Sequence, residues 1–118
     1  MAESRWTQSM LLDFYGELLT DKQRECFELH CNEDLSLSEI AEQLGISRQG
    51  VWENIRRAES AMEDVERKTG LLRRFEENRA ALGELRTKLE RLRAMTEGPA
   101  ARLAAEAEEQ VRALMLRG

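Results

Sequence analysis

The 118-residue sequence has one proline, one histidine, two cysteines and seven glycines, and only 5% of its residues are aromatic. So little proline and glycine leaves few places where a helix must stop. No stretch alternates apolar and polar residues as a half-buried strand does. With few aromatics, the core has to be assembled from Leu, Ile, Val, Met and Ala. No apolar run approaches the ~18 residues of a membrane-spanning helix. The opening MAESRWTQSMLLDFY lacks the basic and apolar regions of a signal peptide, and its acidic residues argue against a transit peptide. A cytoplasmic chain is expected, with Cys26 and Cys31 reduced.

The same scarcity argues against catalysis and metal chemistry. Cys26 and His30 lie one helical turn apart on one face, but Cys31 points about 100° away from His30. No fourth soft ligand follows, whereas a structural zinc site takes four. Buried thiols beside a half-buried histidine are expected, with no metal and no cofactor. No glycine-rich phosphate loop and no nucleophile–base pair stands at motif spacing. The carboxylates fall on solvated helix faces, so the chain is not expected to be an enzyme.

What the sequence has in plenty is charge, 35% of residues against the usual ~25%. With so little punctuation, this points to long exposed helices. The formal charge is −5. Residues 1–75 hold 10 Lys/Arg against 15 Asp/Glu, and residues 76–118 hold 8 of each, so the acidity lies in the first part.

Apolar spacing gives the elements. Trp6–Leu19 places Met10, Leu11, Phe14, Leu18 and Leu19 at helical intervals. Thr20 with Gln23 forms a capping box for a second helix carrying Cys26, Phe27, Leu29, His30 and Cys31. Asn32-Glu33-Asp34 reads as a short acidic break. Ser36 with Glu39 is a second capping box, opening a short helix with Ile40, Ala41 and Leu44 on one face. Gly45 stands where a helix commonly ends in the left-handed region. Ser47 caps the next helix. There Val51, Ile55, Ala58, Met62 and Val65 form one continuous seam, taking the helix to about Lys68. Thr69-Gly70 is a kink or break.

Beyond it Leu71, Phe75, Leu82, Leu85, Leu89 and Leu92 follow a heptad-like spacing, with Asn78 at one seam position. Gly98-Pro99 is the clearest stop. The Ala-rich segment 100–116 sets Leu103, Ala107, Val111 and Leu114 on one face. It is expected to fold back on the preceding helix or to pack on another copy. The fold class is therefore all-α: a helix-turn-helix bundle over residues 1–70, then long C-terminal helices over 71–118. Leu82, Leu85, Leu89 and Leu92 are the candidate dimerisation residues, because an open leucine seam is costly to expose.

The sharpest motif is LSLSEIAEQLGISRQGVWENIRRAE, residues 35–59. Ile40, Leu44 and Val51 face a core, Ala41 is small where two helices cross, and Gly45-Ile46 makes the corner: a helix-turn-helix. In such a motif the outward residues at the start of the second helix meet base edges. Here these are Arg48, Gln49, Trp52, Glu53 and Arg56, with Arg57 beside them. Arg48 suits guanine or phosphate, Gln49 suits adenine, and Arg56 and Arg57 suit phosphates. Glu53 opposes a phosphate field, and Asp34, Glu39 and Glu42 add to the repulsion. A competing reading has Arg48, Arg56 and Arg57 paired with Glu53, Glu59 and Glu63 along a solvated face. Trp52 either stacks on a base or a partner's side chain, or rims the core against the first helix of the motif. Asn54 lies beside the seam and is placed to bond a backbone group locally.

FYGELLTDKQ, LSLSEIAEQLGISRQGVW and ENIRRAE, within residues 14–72, resemble the YlxM family of helix-turn-helix proteins from Gram-positive bacteria. The region is more distantly similar to region 4 of bacterial sigma factors, where such a helix reads a promoter element. The resemblance implies an all-helical, wingless, sigma region 4-like fold and a small cytoplasmic protein. It also implies a link to the signal recognition particle, since genes of this family sit beside that of the particle's GTPase. The family pattern is expected to end near Asn78. The favoured expectation is a non-enzymatic regulator that binds the particle's RNA or GTPase and forms a homodimer. The alternative is a sequence-specific DNA-binding transcriptional regulator. A third reading is a protein-binding adaptor whose DNA face is vestigial.

Overall fold

Helix after helix follows from the caps. The computed structural model describes residues 5–117: α1 (Arg5–Tyr15), a 3-10 turn (Gly16–Leu18), α2 (Asp21–Cys31), α3 (Leu37–Leu44), α4 (Arg48–Thr69), α5 (Leu71–Met95) and α6 (Pro99–Arg117). No strand occurs among the described residues. Both capping boxes form. The Thr20 hydroxyl accepts from the Gln23 N–H at 3.2 Å, and the Gln23 side chain accepts from the Thr20 N–H at 3.2 Å. Ser36 and Glu39 do the same at 3.1 and 2.9 Å. Those backbone and side-chain bonds from Ser36 hold the Glu39 carboxyl below its ordinary pKa. The Ser47 hydroxyl accepts from the Gly50 N–H at 2.9 Å, opening α4. Each bond satisfies a donor that the first helical turn would otherwise leave orphaned.

The chain divides into two compact units, residues 1–72 and 73–118. In the first, Cys26, Ile40, Ala41 and Val51 are buried together, with Leu29, Leu35, Leu37, Leu44, Ile46 and Ile55 packed around them. Gly45 adopts φ +69° and Gly70 φ +63°. Both end a helix in the left-handed region, where a Cβ is strained. The seam of α4 buries Val51, Ala58 and Met62. The first helix is shorter than its apolar spacing predicts. It stops at Tyr15 and buries Leu11, Leu12 and Tyr15, while Phe14 and Leu18 are exposed. The 3-10 turn beginning at Gly16 rotates Leu18 out of the helical face to which its spacing assigns it.

Tyr15 also closes this unit chemically. Its hydroxyl donates to Glu66 Oε1 at 2.6 Å and shares a bond of 2.9 Å with the Thr69 hydroxyl. The Leu72 N–H donates to the same carboxylate oxygen at 2.9 Å. Burial, then the bond to Glu66, push the phenol pKa up. Glu66 thus acts as a cap at the start of α5.

In the second unit α6 runs back along α5. Arg93 of α5 bonds Glu108 of α6, and Arg79 of α5 donates to the Met115 carbonyl at 3.5 Å. The buried residues of α6 are Ala104, Glu108 and Val111. Leu103 and Leu114, expected on that face, are exposed. The face is one step further round, because Glu108 pairs with Arg93 and fixes the rotation of the helix.

The bond from Arg93 holds the Glu108 carboxyl below its ordinary pKa. A depressed folded value means that this contact contributes fully above about pH 4.3, the ordinary glutamate value. The contribution is lost as pH falls through the folded value. Glu108→Gln removes that titration. Circular dichroism from pH 7 to pH 3 should show the wild type losing helix more steeply than the variant. Parallel curves would mean that the pair contributes nothing to stability.

Candidate nucleic-acid interface

The site is built on the first three turns of α4. The corner is made by Gly45 and by the Ile46 N–H donating to the Ala41 carbonyl at 3.1 Å. Val51 is fully buried and Ile55 packs against the same cluster, which fixes how α4 is rotated. With that rotation fixed, Arg48, Gln49, Trp52, Glu53, Arg56 and Arg57 all fall on the exposed side. The Asn54 side chain donates to the Gly50 carbonyl at 2.8 Å, a local backbone bond within the helix.

Two shallow clefts lie along this face. One, of about 430 Å³, is lined by Leu37, Arg48, Gln49 and Trp52. The other, of about 290 Å³, is lined by Trp52, Glu53, Arg56, Arg57 and Ser60. Trp52 is the wall common to both. It is 44% exposed, and in the first cleft it stands beside Leu37, which packs against the core cluster. The Arg56 guanidinium sits 5.0 Å from its ring centroid, a cation–π arrangement that holds both flat groups together. The spacing of four between Trp52 and Arg56 is the signal that could have revealed this pair from sequence.

The nearby carboxylates have partners other than these arginines, although Glu53 stays on the face itself. Glu53 accepts from the Gln49 side chain at 3.4 Å, and Glu59 accepts from Gln8 at 3.3 Å. Asp34 pairs with Arg5, and Glu39 is turned onto its own helix cap. Among the described residues, none of Arg48, Arg56 and Arg57 forms an ion pair. The pairing with Glu53, Glu59 and Glu63 is therefore not formed. The structure brings Arg48, Gln49, Trp52, Arg56 and Arg57 onto one surface, and it adds Leu37 and Ser60, which the motif alone does not reveal.

The His30 ring bonds the Leu35 carbonyl at 3.1 Å. Cys26 and Cys31 are free and buried. Cys31 donates to the Gln8 side-chain oxygen at 3.4 Å. Burial, then the nearby Glu59, push its pKa up to about 11, so the nucleophilic thiolate is disfavoured. No described helix is long and apolar enough to cross a membrane.

Comparison with known proteins places this architecture. The profile of the family described as "Putative helix-turn-helix protein, YlxM / p13 like" (UPF0122) matches residues 2–99. A UPF0122 protein of Thermoanaerobacter sp. (strain X514) is 47% identical over 91 residues, which is 77% of this chain and 78% of that protein. One from Acetivibrio thermocellus is 51% identical over 74 residues, 61% of this chain and 63% of the relative. One from Shouchella clausii is 45% identical over 86 residues, 73% and 79%. The match runs through α5 and so extends beyond Asn78, where the sequence alone suggested it would end; α6 lies almost wholly outside it. With a profile covering most of the chain and relatives this similar, the chain belongs to the YlxM / p13-like family of helix-turn-helix proteins.

Proposed function

We propose that this chain is a non-enzymatic regulatory protein of the cytoplasm that grips RNA through the outer face of α4. The observation that carries this reading is the set of arginines at 48, 56 and 57, exposed and without a carboxylate partner among the described residues, around the half-exposed Trp52. Unpaired guanidinium groups suit phosphates. A tryptophan backed by an arginine is a stacking platform for an unpaired base, the usual way in which single-stranded RNA is held. The first unit holds 8 Lys/Arg against 15 Asp/Glu, a net of −7. That field repels a long duplex more than a short folded RNA whose contact is confined to this patch. The family resemblance makes the signal recognition particle RNA the first candidate, with the particle's GTPase the second. The chain works as a homodimer joined through its second unit.

The alternative is duplex DNA. Arg48 and Gln49 occupy the positions at which a helix-turn-helix meets base edges, and this favours the second reading. Fluorescence anisotropy with labelled particle RNA, an operator-length DNA duplex and the purified GTPase, between 50 and 200 mM salt, separates them. The RNA should bind, with a log–log salt slope of about −2 for three phosphates neutralised on a single strand. Tight binding of one duplex sequence with weak binding of RNA would move the conclusion to transcription. GTPase binding alone would reject nucleic-acid recognition.

A further inference from the structure

The heptad leucines of α5 divide into two rows. Leu82 and Leu89 are half-buried, in line with the α6-facing residues, whereas Leu85 and Leu92 are exposed. At about 100° per residue, Leu85 and Leu92 lie one step back from Arg86 and Arg93, and Arg93 marks the side of α5 that meets α6. On α6, Glu108 marks the side that meets α5. Ala107, Leu103 and Leu114 lie about 100–140° round from it in the same sense of rotation. The two helices are antiparallel. Equal rotation of the same sense on antiparallel neighbours brings both rows to one side of the hairpin. Leu85 and Leu92 therefore share a face with Leu103, Ala107 and Leu114. Leu116 lies on the other side of α6.

We propose that this face is where a second copy of the chain packs, so that two hairpins form a four-helix bundle. The proposal rests on the homodimer of the preceding reading and names its interface. Three observations favour a second copy over another occupant. A two-helix hairpin whose α6 buries only Ala104, Glu108 and Val111 has too small a core to stand alone, and doubling is a usual remedy. The exposed α5 row reads Asn78, Leu85, Leu92 at intervals of seven, the heptad spacing of a helix that packs lengthwise on another helix. The rims are also complementary in charge. Lys88 and Arg91 edge this face on α5, Glu106 edges it on α6, and none of them has an ion pair among the described residues.

A twofold axis along the bundle lays α5 of one copy over α6 of the other. With Arg93 level with Glu108, Arg91 and Glu106 are offset by about 6 Å along that axis and lie on the same outer edge of the interface. Two helices of this length side by side cover roughly 500 Å² per copy, or roughly 1,000 Å² in all, the lower bound for a specific interface.

Sedimentation equilibrium of the full chain tests this. The wild type should be a dimer. Leu103 is 67% exposed and Leu116 83% exposed on the same helix, so neither substitution threatens the fold of one chain. Leu103→Asp should weaken the dimer by roughly a hundredfold, since the loss is felt twice. Leu116→Asp should change it less than threefold. Arg91→Glu and Glu106→Arg should each weaken it by roughly tenfold, and the double variant should recover most of that loss. A monomeric wild type would overturn both the dimer and its interface. A wild-type dimer indifferent to Leu103→Asp, or equally sensitive to Leu116→Asp, or one in which the charge swap fails to rescue, would leave the dimer standing and overturn this face.

Discussion

Replacing Arg48, Arg56 and Arg57 together with alanine is expected to weaken RNA binding by at least about a hundredfold at 100 mM salt, with no loss of fold. Hydrogen bonds to charged groups are worth ~1.5–3 kcal/mol each, and three charged contacts contribute about 2 to the salt slope on single-stranded RNA. The slope should fall close to zero in the triple variant. The fold should survive because the three side chains are exposed and hold no carboxylate in the described structure. Anisotropy gives the affinity, and circular dichroism on the same samples gives the helix content. If the variant keeps its helix content and binds RNA as well as the wild type, this face is vestigial and the RNA is held by another surface of the chain.

The second large effect is on stability. Phe27 is fully buried in the first unit. Phe27→Ala should cost about 3–5 kcal/mol, the sum of lost transfer energy and the cavity left behind. Domains are stable by only ~5–15 kcal/mol. For a unit of this size the loss corresponds to a fall in Tm of roughly 15–30 °C. Thermal denaturation followed by circular dichroism measures it. A fall of under about 5 °C would mean that the ring is not an anchor of the core or that the site collapses around the gap.

Local rules made much of this fold legible. A capping box needs only two side chains three residues apart, so Thr20/Gln23 and Ser36/Glu39 could be placed from sequence and formed as read. The α4 seam set that helix's length to within a residue, Thr69 against about Lys68. Gly45 and Gly70 carry positive φ and cap the ends of α3 and α4, as expected of residues that end helices. These are short-range effects that composition cannot disguise.

The rest depended on contacts between distant residues. Nothing local says that Glu59 meets Gln8 or that Asp34 meets Arg5. The choice between paired and unpaired arginines was therefore open until the helices were packed. Heptad spacing located the leucines of α5 but not which of them α6 would cover. That depends on the rotation of α6, which Arg93–Glu108 fixes. A buried glutamate in an Ala-rich helix is invisible to hydrophobic periodicity, which therefore sets the face of α6 one step from where it lies. For the same reason no local signal reveals the Tyr15–Glu66 bond: its partners are 51 residues apart.

The central claim is that nucleic acid lies against Trp52. The chain has two tryptophans, Trp6 and Trp52, so Trp6→Phe leaves Trp52 as the sole reporter. Titrating that variant with the particle RNA should quench Trp52 emission by stacking, with a midpoint equal to the Kd from anisotropy. Saturable RNA binding that leaves the Trp52 emission unchanged would contradict the account.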